Sequence, residues 1–169
     1  FDRLGGTTLA NLTIGRFEMR AAPFSHYHRR LTPSDVLAVS FRSPADGLQL
    51  RQPQMGFEFW GAKSGRSGRG GGEYALGLVN GTGTLRDNNT AKDVYGRASY
   101  KFGGFGVTGS SADTPTLPST DTWRDDSLRL GVTAYVGRGR FQAGADRYWR
   151  VGGDMDAFFR NLHLFGVVL

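Results

Sequence analysis

Asp93-Val94-Tyr95-Gly96-Arg97-Ala98-Ser99-Tyr100-Lys101-Phe102 decides the fold. One parity reads Asp93, Tyr95, Arg97, Ser99, Lys101 and the other Val94, Gly96, Ala98, Tyr100, Phe102, so every charge lies on one side. An extended chain, whose successive side chains point to opposite faces, sorts residues in this way. The sorting recurs at Leu128, Leu130, Val132, Ala134, Val136 against Arg129, Gly131, Thr133, Tyr135. It recurs again at Tyr74, Leu76, Leu78 against Glu73, Ala75, Gly77, and at Leu162, Leu164, Gly166, Val168 against His163, Phe165, Val167.

Working outward, the pattern predicts strands over 7–19, 54–62, 72–80, 92–102, 105–110, 127–136, 140–150 and 160–169. Gly103-Gly104 and Gly137-Arg138-Gly139 read as tight turns, and 81–91, 111–126 and 151–159 as long loops. Residues 63–71 read as a nine-residue turn on the short side. Short and long connections then alternate from Gly72 onward, as in an up-and-down barrel with one short-turned rim. Across Leu12-Thr13-Ile14-Gly15-Arg16-Phe17-Glu18 the apolar parity switches, which predicts a β-bulge at Gly15. Residues 20–51 fit no simple alternation and are too long for an ordinary turn, although Ser34 or Asp35 could cap a short helix over 36–41.

Composition narrows the classes. The 169 residues include 26 Gly and 21 Lys+Arg against 15 Asp+Glu, for a net charge of +6; 18 of the cations are Arg. With no Cys, disulfides, Cys-ligated metal sites and covalent haem attachment within this chain are excluded. No apolar run is long enough for a transmembrane helix. The chain starts at Phe1 and stops at Leu169 inside an alternating stretch, so both ends are expected to be cut from a longer protein.

The apolar parity could face a second sheet in a soluble sandwich, or lipid. Its small residues (Gly96, Ala98, Ala134, Ala143, Ala145, Gly166) suit a lipid wall better than a close-packed core. Aromatics at predicted strand ends, in Tyr100-Lys101-Phe102, Phe105, Phe141 and Tyr148-Trp149, suit an interfacial girdle. Arg147 is the exception on the apolar parity and requires an interfacial position beside Trp149. The expectation is therefore an all-β, antiparallel up-and-down transmembrane β-barrel, or a segment of one. About eight strands would form a single domain over 1–169, with 20–51 as a lumenal constriction or long loop.

Gly56-Phe57-Glu58-Phe59-Trp60-Gly61, the glycine-rich run from Gly70 through Asn80-Gly81-Thr82-Gly83, and Asp87-Asn88-Asn89-Thr90-Ala91-Lys92-Asp93-Val94-Tyr95-Gly96-Arg97 follow one another in order. Together they resemble Gram-negative outer-membrane porins of the phosphate-selective type, and equally the porin-like barrels of porin–cytochrome electron conduits. Leu12 to Glu18 is similar to the strand before the constriction of those proteins, and Asn161 to Gly166 to one of their later strands. Such proteins are usually longer and end in an aromatic residue, whereas this chain ends in Leu169. The resemblance implies an outer-membrane location and passive diffusion of small solutes, with no cofactor. In the conduit alternative the barrel is a sheath around a multihaem cytochrome partner. A homo-oligomer is compatible with either.

On this reading Arg16, Arg97, Lys101, Arg129 and Arg150 line the pore opposite Glu58, Glu73, Asp93 and Asp146. His26, His28, Arg29 and Arg30 would form a basic constriction. Arg donates parallel hydrogen bonds to phosphate or carboxylate, so anionic solutes are expected; alternatively the same cations brace the wall by pairing with its acids. His26-x-His28 is one ligand pair where a catalytic zinc wants three ligands, and Asp87-Asn88-Asn89 with Asp93 could hold calcium or simply turn the chain. Gly68-Arg69-Gly70-Gly71-Gly72 lacks the G-K-[ST] of a phosphate loop. No nucleophile–base–orienter set can be assembled, so no catalysis is expected. The charges form no single stripe, so no nucleic-acid partner is expected either.

Overall fold

A computed structural model describes residues 3–21, 53–81, 92–107, 126–141, 144–160 and 162–168, with side chains of 139–146 not described. Among the described residues seven antiparallel strands form one sheet in chain order: β1 (Asn11–Phe17), β2 (Gln54–Ser64), β3 (Arg69–Val79), β4 (Asp93–Phe105), β5 (Ser127–Phe141), β6 (Gly144–Phe159) and β7 (Leu162–Val168). The up-and-down order matches the expectation. The sheet is not closed, because β1 and β7 are its two edges and do not pair with each other.

Several boundaries differ from the sequence reading, and glycine is the usual reason. Gly103-Gly104 is not a turn: β4 runs through it, and Gly103 still pairs with Ser127. Its positive φ values (71° and 62°) are absorbed inside the strand, opposite a register shift between Arg69 and Gly71. The separate strand expected over 105–110 is therefore not formed; Phe105 ends β4, and 108–110 lie outside the described residues. Gly137-Arg138-Gly139 likewise lies within β5, which continues to Phe141 and pairs it with Gly144. The loop expected over 151–159 is the second half of β6. The turn expected over 63–71 shrinks to the segment from Gly65 to Gly68, with a 3-10 turn at Arg66–Gly68. Short and long connections consequently do not segregate to opposite rims. Gly15 has φ 114°, but the β1–β2 register is unbroken from Asn11 to Phe17, so no bulge forms there.

The two faces have inverted polarity. Ile14, Phe57, Leu76, Val94, Leu130, Val132, Val151, Leu164 and Val168 are exposed, while Glu58, Asp93, Arg97, Lys101, Arg129, Asp154 and Asp156 are buried. At the centre of the apolar face Val132 is 63% exposed, whereas Glu58 on the other face is 0%. Hydrophobic burial normally orders a sheet the other way. The sheet is single, and among the described residues no second layer covers the apolar face.

The polar face lies on the inside of a roll. Ala21 is four residues past β1, yet its carbonyl accepts a 2.7 Å hydrogen bond from Thr133 Oγ1 on β5. Four extended residues reach at most about 14 Å. Across a flat sheet the two strands would stand about 19 Å apart. The sheet therefore curls, and Met19 and Ala21 pack inside with Ala75, Val79, Tyr95 and Tyr135.

Glycines make this inner packing possible. Gly77 is the cross-strand partner of Tyr95, Gly137 of Tyr148 and Gly131 of Asp154. A Cβ at Gly77 would overlap the Tyr95 ring, one at Gly137 the Tyr148 ring, and one at Gly131 the Asp154 carboxylate. Each glycine is a seat over which the opposite side chain lies down. Gly166 has nothing within 4 Å of its Cβ position. Gly77→Val is expected to displace Tyr95 and cost about 1–3 kcal/mol by overpacking, while Gly166→Ala is near neutral; urea unfolding midpoints of the two variants measure the difference.

Candidate functional site

The inner face carries the polar side chains that could meet a solute, and three clusters around buried acids organise it. Glu58 on β2 accepts a 3.0 Å hydrogen bond from the Arg20 backbone N–H at Oε2, an ion pair from the Arg20 guanidinium at Oε1, and the Tyr95 hydroxyl at Oε2. The Arg20 guanidinium also lies 4.0 Å over the Trp60 ring, whose Nε1 donates to Thr13 Oγ1 at 3.2 Å. A buried carboxylate costs several kcal/mol unless donors replace its water. Three donors do so here.

Asp93 on β4 is satisfied in the same manner. Its Oδ2 accepts the hydroxyls of Tyr135 and Tyr148, each at 2.7 Å, and its Oδ1 accepts the Arg138 backbone N–H at 3.0 Å. The rings of Tyr95, Tyr135 and Tyr148 are nearly parallel, with centroids 6.4 and 6.0 Å apart and interplanar angles of 8° and 9°. Because consecutive inward tyrosines stand on consecutive strands and reach toward acids on earlier ones, the rings lean together as a ladder.

The third acid group ties β3, β4, β5 and β6. Arg97 Nη2 donates to both oxygens of Asp154, at 2.7 and 2.9 Å, and Nη1 lies 3.2 Å from Glu73 Oε1. Ser99 Oγ donates to the same Glu73 oxygen at 2.7 Å, and Arg129 Nη1 is 3.5 Å from it. Arg129 also donates to the Val107 carbonyl, and Lys101 Nζ donates to the Phe105 carbonyl at 3.0 Å. On β7 His163 Nε2 meets Asp156 Oδ1 at 2.7 Å and stacks on Phe158 at 4.0 Å.

Of the residues expected to line a pore, Arg97, Lys101 and Arg129 lie buried on the inner face, and Arg150 shares it as the partner of Tyr135. Arg97 and Arg129 are joined to Glu73, and Arg97 to Asp154 as well, so bracing is what the structure shows for these two. Arg16 is a correction. With no bulge at Gly15 it pairs with exposed Met55 and lies on the apolar face, not among the inner cations. His26, His28, Arg29 and Arg30 lie outside the described residues, as do Asp87, Asn88 and Asn89. Both oxygens of Asp93 are engaged by donors from Tyr135, Tyr148 and Arg138. Tyr148 is another correction: it points inward to Asp93, whereas Tyr100, Phe102 and Trp149 are exposed on the apolar face. Among the described residues no group of three or more His, Asp or Glu is arranged to hold a metal.

Sequence reasoning missed Arg20, Asp154, Asp156 and the tyrosine ladder as members of the inner network. Tyr95 and Tyr135 were signalled by standing on the charged parity; Asp154 and Asp156 were hidden by the loop assigned to 151–159.

Removing one partner of a buried pair strands the other charge. Arg97→Met is expected to destabilise by about 3–5 kcal/mol. Arg97→Met combined with Asp154→Leu is expected to regain most of that loss. Chemical denaturation of the two singles and the double closes the cycle, and an additive result would show that the pair is not coupled.

Compared with protein-family models, with curated proteins and with solved structures, the chain matches none.

Proposed function

We propose that this chain is wall of an outer-membrane β-barrel of porin type, through which small solutes diffuse passively. The observation that carries the reading is the inverted polarity of the sheet: exposed aliphatic and aromatic side chains on one face, buried charge pairs on the other. Lipid is the solvent in which an apolar outer face is at equilibrium and charge belongs inside. On β5 the uncharged outer stretch from Leu128 to Val136 matches the ~9–11 residues of a tilted spanning strand. Tyr100, Phe102 and Phe159 stand toward one rim and Trp149 toward the other, as aromatic girdles do.

Anion preference in such a channel does not come from the described wall. Its inner cations Arg20, Arg97, Lys101, Arg129 and Arg150 are matched by Glu58, Glu73, Asp93, Asp154 and Asp156, a balance of 5 − 5 = 0. The preference rests instead on Arg29 and Arg30, within a stretch (22–52) that holds four Arg against two Asp. The self-neutralised wall also favours a second reading, a sheath around a multihaem cytochrome with no flux of its own.

In planar bilayers the purified protein is expected to give steady conductance steps, with a reversal potential on the anion side that moves toward zero in Arg29→Gln/Arg30→Gln. A Soret band without conductance would select the sheath, and partitioning into buffer without detergent would sink both. Val132→Arg is expected to cost about 2–4 kcal/mol of folding stability in lipid vesicles, read by tryptophan fluorescence in urea; no loss would remove the lipid from this face.

A further inference from the structure

The outer face carries charge in one pattern that the channel reading does not use. Arg138 on β5 and Arg147 on β6 are direct cross-strand partners and both are exposed. Continuing the β4–β5 register by two residues places exposed Lys92 beside Arg138. Followed through the pairings of β1 with β2, β2 with β3 and β3 with β4, the same row ends at Arg16 on β1. No outward position in the seven strands is Asp or Glu. One step from the three adjacent cations, toward the middle of the sheet, Val136 pairs with Trp149, which is 73% exposed.

We propose that Lys92, Arg138 and Arg147 form a binding site for the phosphate of an anionic lipid headgroup, with its acyl chain laid over Val136 and Trp149. This rests on the membrane reading above. Neighbouring strands are about 4.8 Å apart, and the long, flexible side chains of the three cations can converge from adjacent strands on one phosphate group. Like charges directly opposite one another repel, and an anion shared between them converts that repulsion into binding. Two of the three are Arg, whose planar fork matches phosphate oxygens. The apolar ledge begins one residue pair away, where a lipid changes from headgroup to chain. A free phosphate ion would use the cations and leave the ledge bare, so the paired arrangement points to the lipid.

The test uses the full chain reconstituted in vesicles of phosphatidylcholine and phosphatidylglycerol, with bromine on the acyl chains of one lipid at a time. The quenching component lost in Trp149→Phe reports which lipid sits at the ledge. Each basic residue near an anionic headgroup is worth about fivefold in association. The three together are therefore expected to make brominated phosphatidylglycerol quench with about hundredfold preference, falling to about fivefold in Arg138→Gln/Arg147→Gln. If the double variant does not refold, Lys92→Gln is expected to lower the preference by about fivefold. Equal quenching by the two lipids in the unaltered protein would overturn the site while leaving the membrane reading intact. Quenching by neither would overturn both. Loss of the preference on adding inorganic phosphate would assign the cations to a free anion and overturn the lipid site.

Discussion

Buried carboxylates must find donors, and in this sheet Glu58 and Asp93 each reach a tyrosine two strands away. Glu58, Gly77 and Tyr95 occupy one cross-strand row on β2, β3 and β4; Asp93, Gly137 and Tyr148 occupy another on β4, β5 and β6. In both rows the glycine in the middle removes the side chain that would stand between acid and phenol. A row of this kind shortens when the sheet curls toward it, because the acid and its donor then approach across the missing Cβ. The carboxylate's need for donors and the roll of the sheet are thus one constraint, and the 26 glycines are partly its consequence. The usual entropic cost of glycine in a strand is offset by the hydrogen bonds that its absence of a side chain permits.

Edges impose a second constraint. In a seven-stranded meander β1 and β7 run in the same direction, so pairing them directly would create a parallel seam. A wall in hydrocarbon has to satisfy every backbone N–H and C=O, and it can leave no edge bare. Closure by antiparallel pairing throughout takes an odd number of additional strands. The wall reading thus specifies what must complete it, independently of any solute.

Much of this was legible in the sequence, and what was not has a physical reason. The parity of β3, β4, β5 and β7 follows directly from Tyr74-Ala75-Leu76, Val94 to Phe102, Leu128 to Val136 and Leu162 to Val168, because alternation is a local signal. Glycine does not by itself mark a turn: Gly103 and Gly104 take positive φ inside β4. At Gly137 its role is to leave room for Tyr148, a demand from a residue on the next strand that no local window contains. The stretch 151–159 looks like a loop because Gly152-Gly153-Asp154-Met155-Asp156 has turn composition. It is strand because Asp154 and Asp156 have Arg97 and His163 to pair with on the inner side. A bulge at Gly15 would turn Arg16 inward, and the unbroken register puts it outside. Tertiary partners decide each of these cases.

The two faces treat charge by different rules, and the difference speaks to the solvent of each. Inside, cations and carboxylates alternate and neutralise one another at hydrogen-bond distance, as a low-dielectric or confined space demands. Outside, within the strands, the charges are all of one sign and confined toward the rims, with Lys63 at one end and Arg16, Arg138 and Arg147 at the other. A surface meeting water has no reason to exclude carboxylates from its outward positions or to keep the middle of every strand uncharged. A surface meeting hydrocarbon has both reasons: charge is costly at the midplane and cheap at the interface, and the anions waiting there belong to the lipid. The sorting of charge by sign and by height on the outer face is therefore evidence about the medium that exposed apolar area alone does not supply.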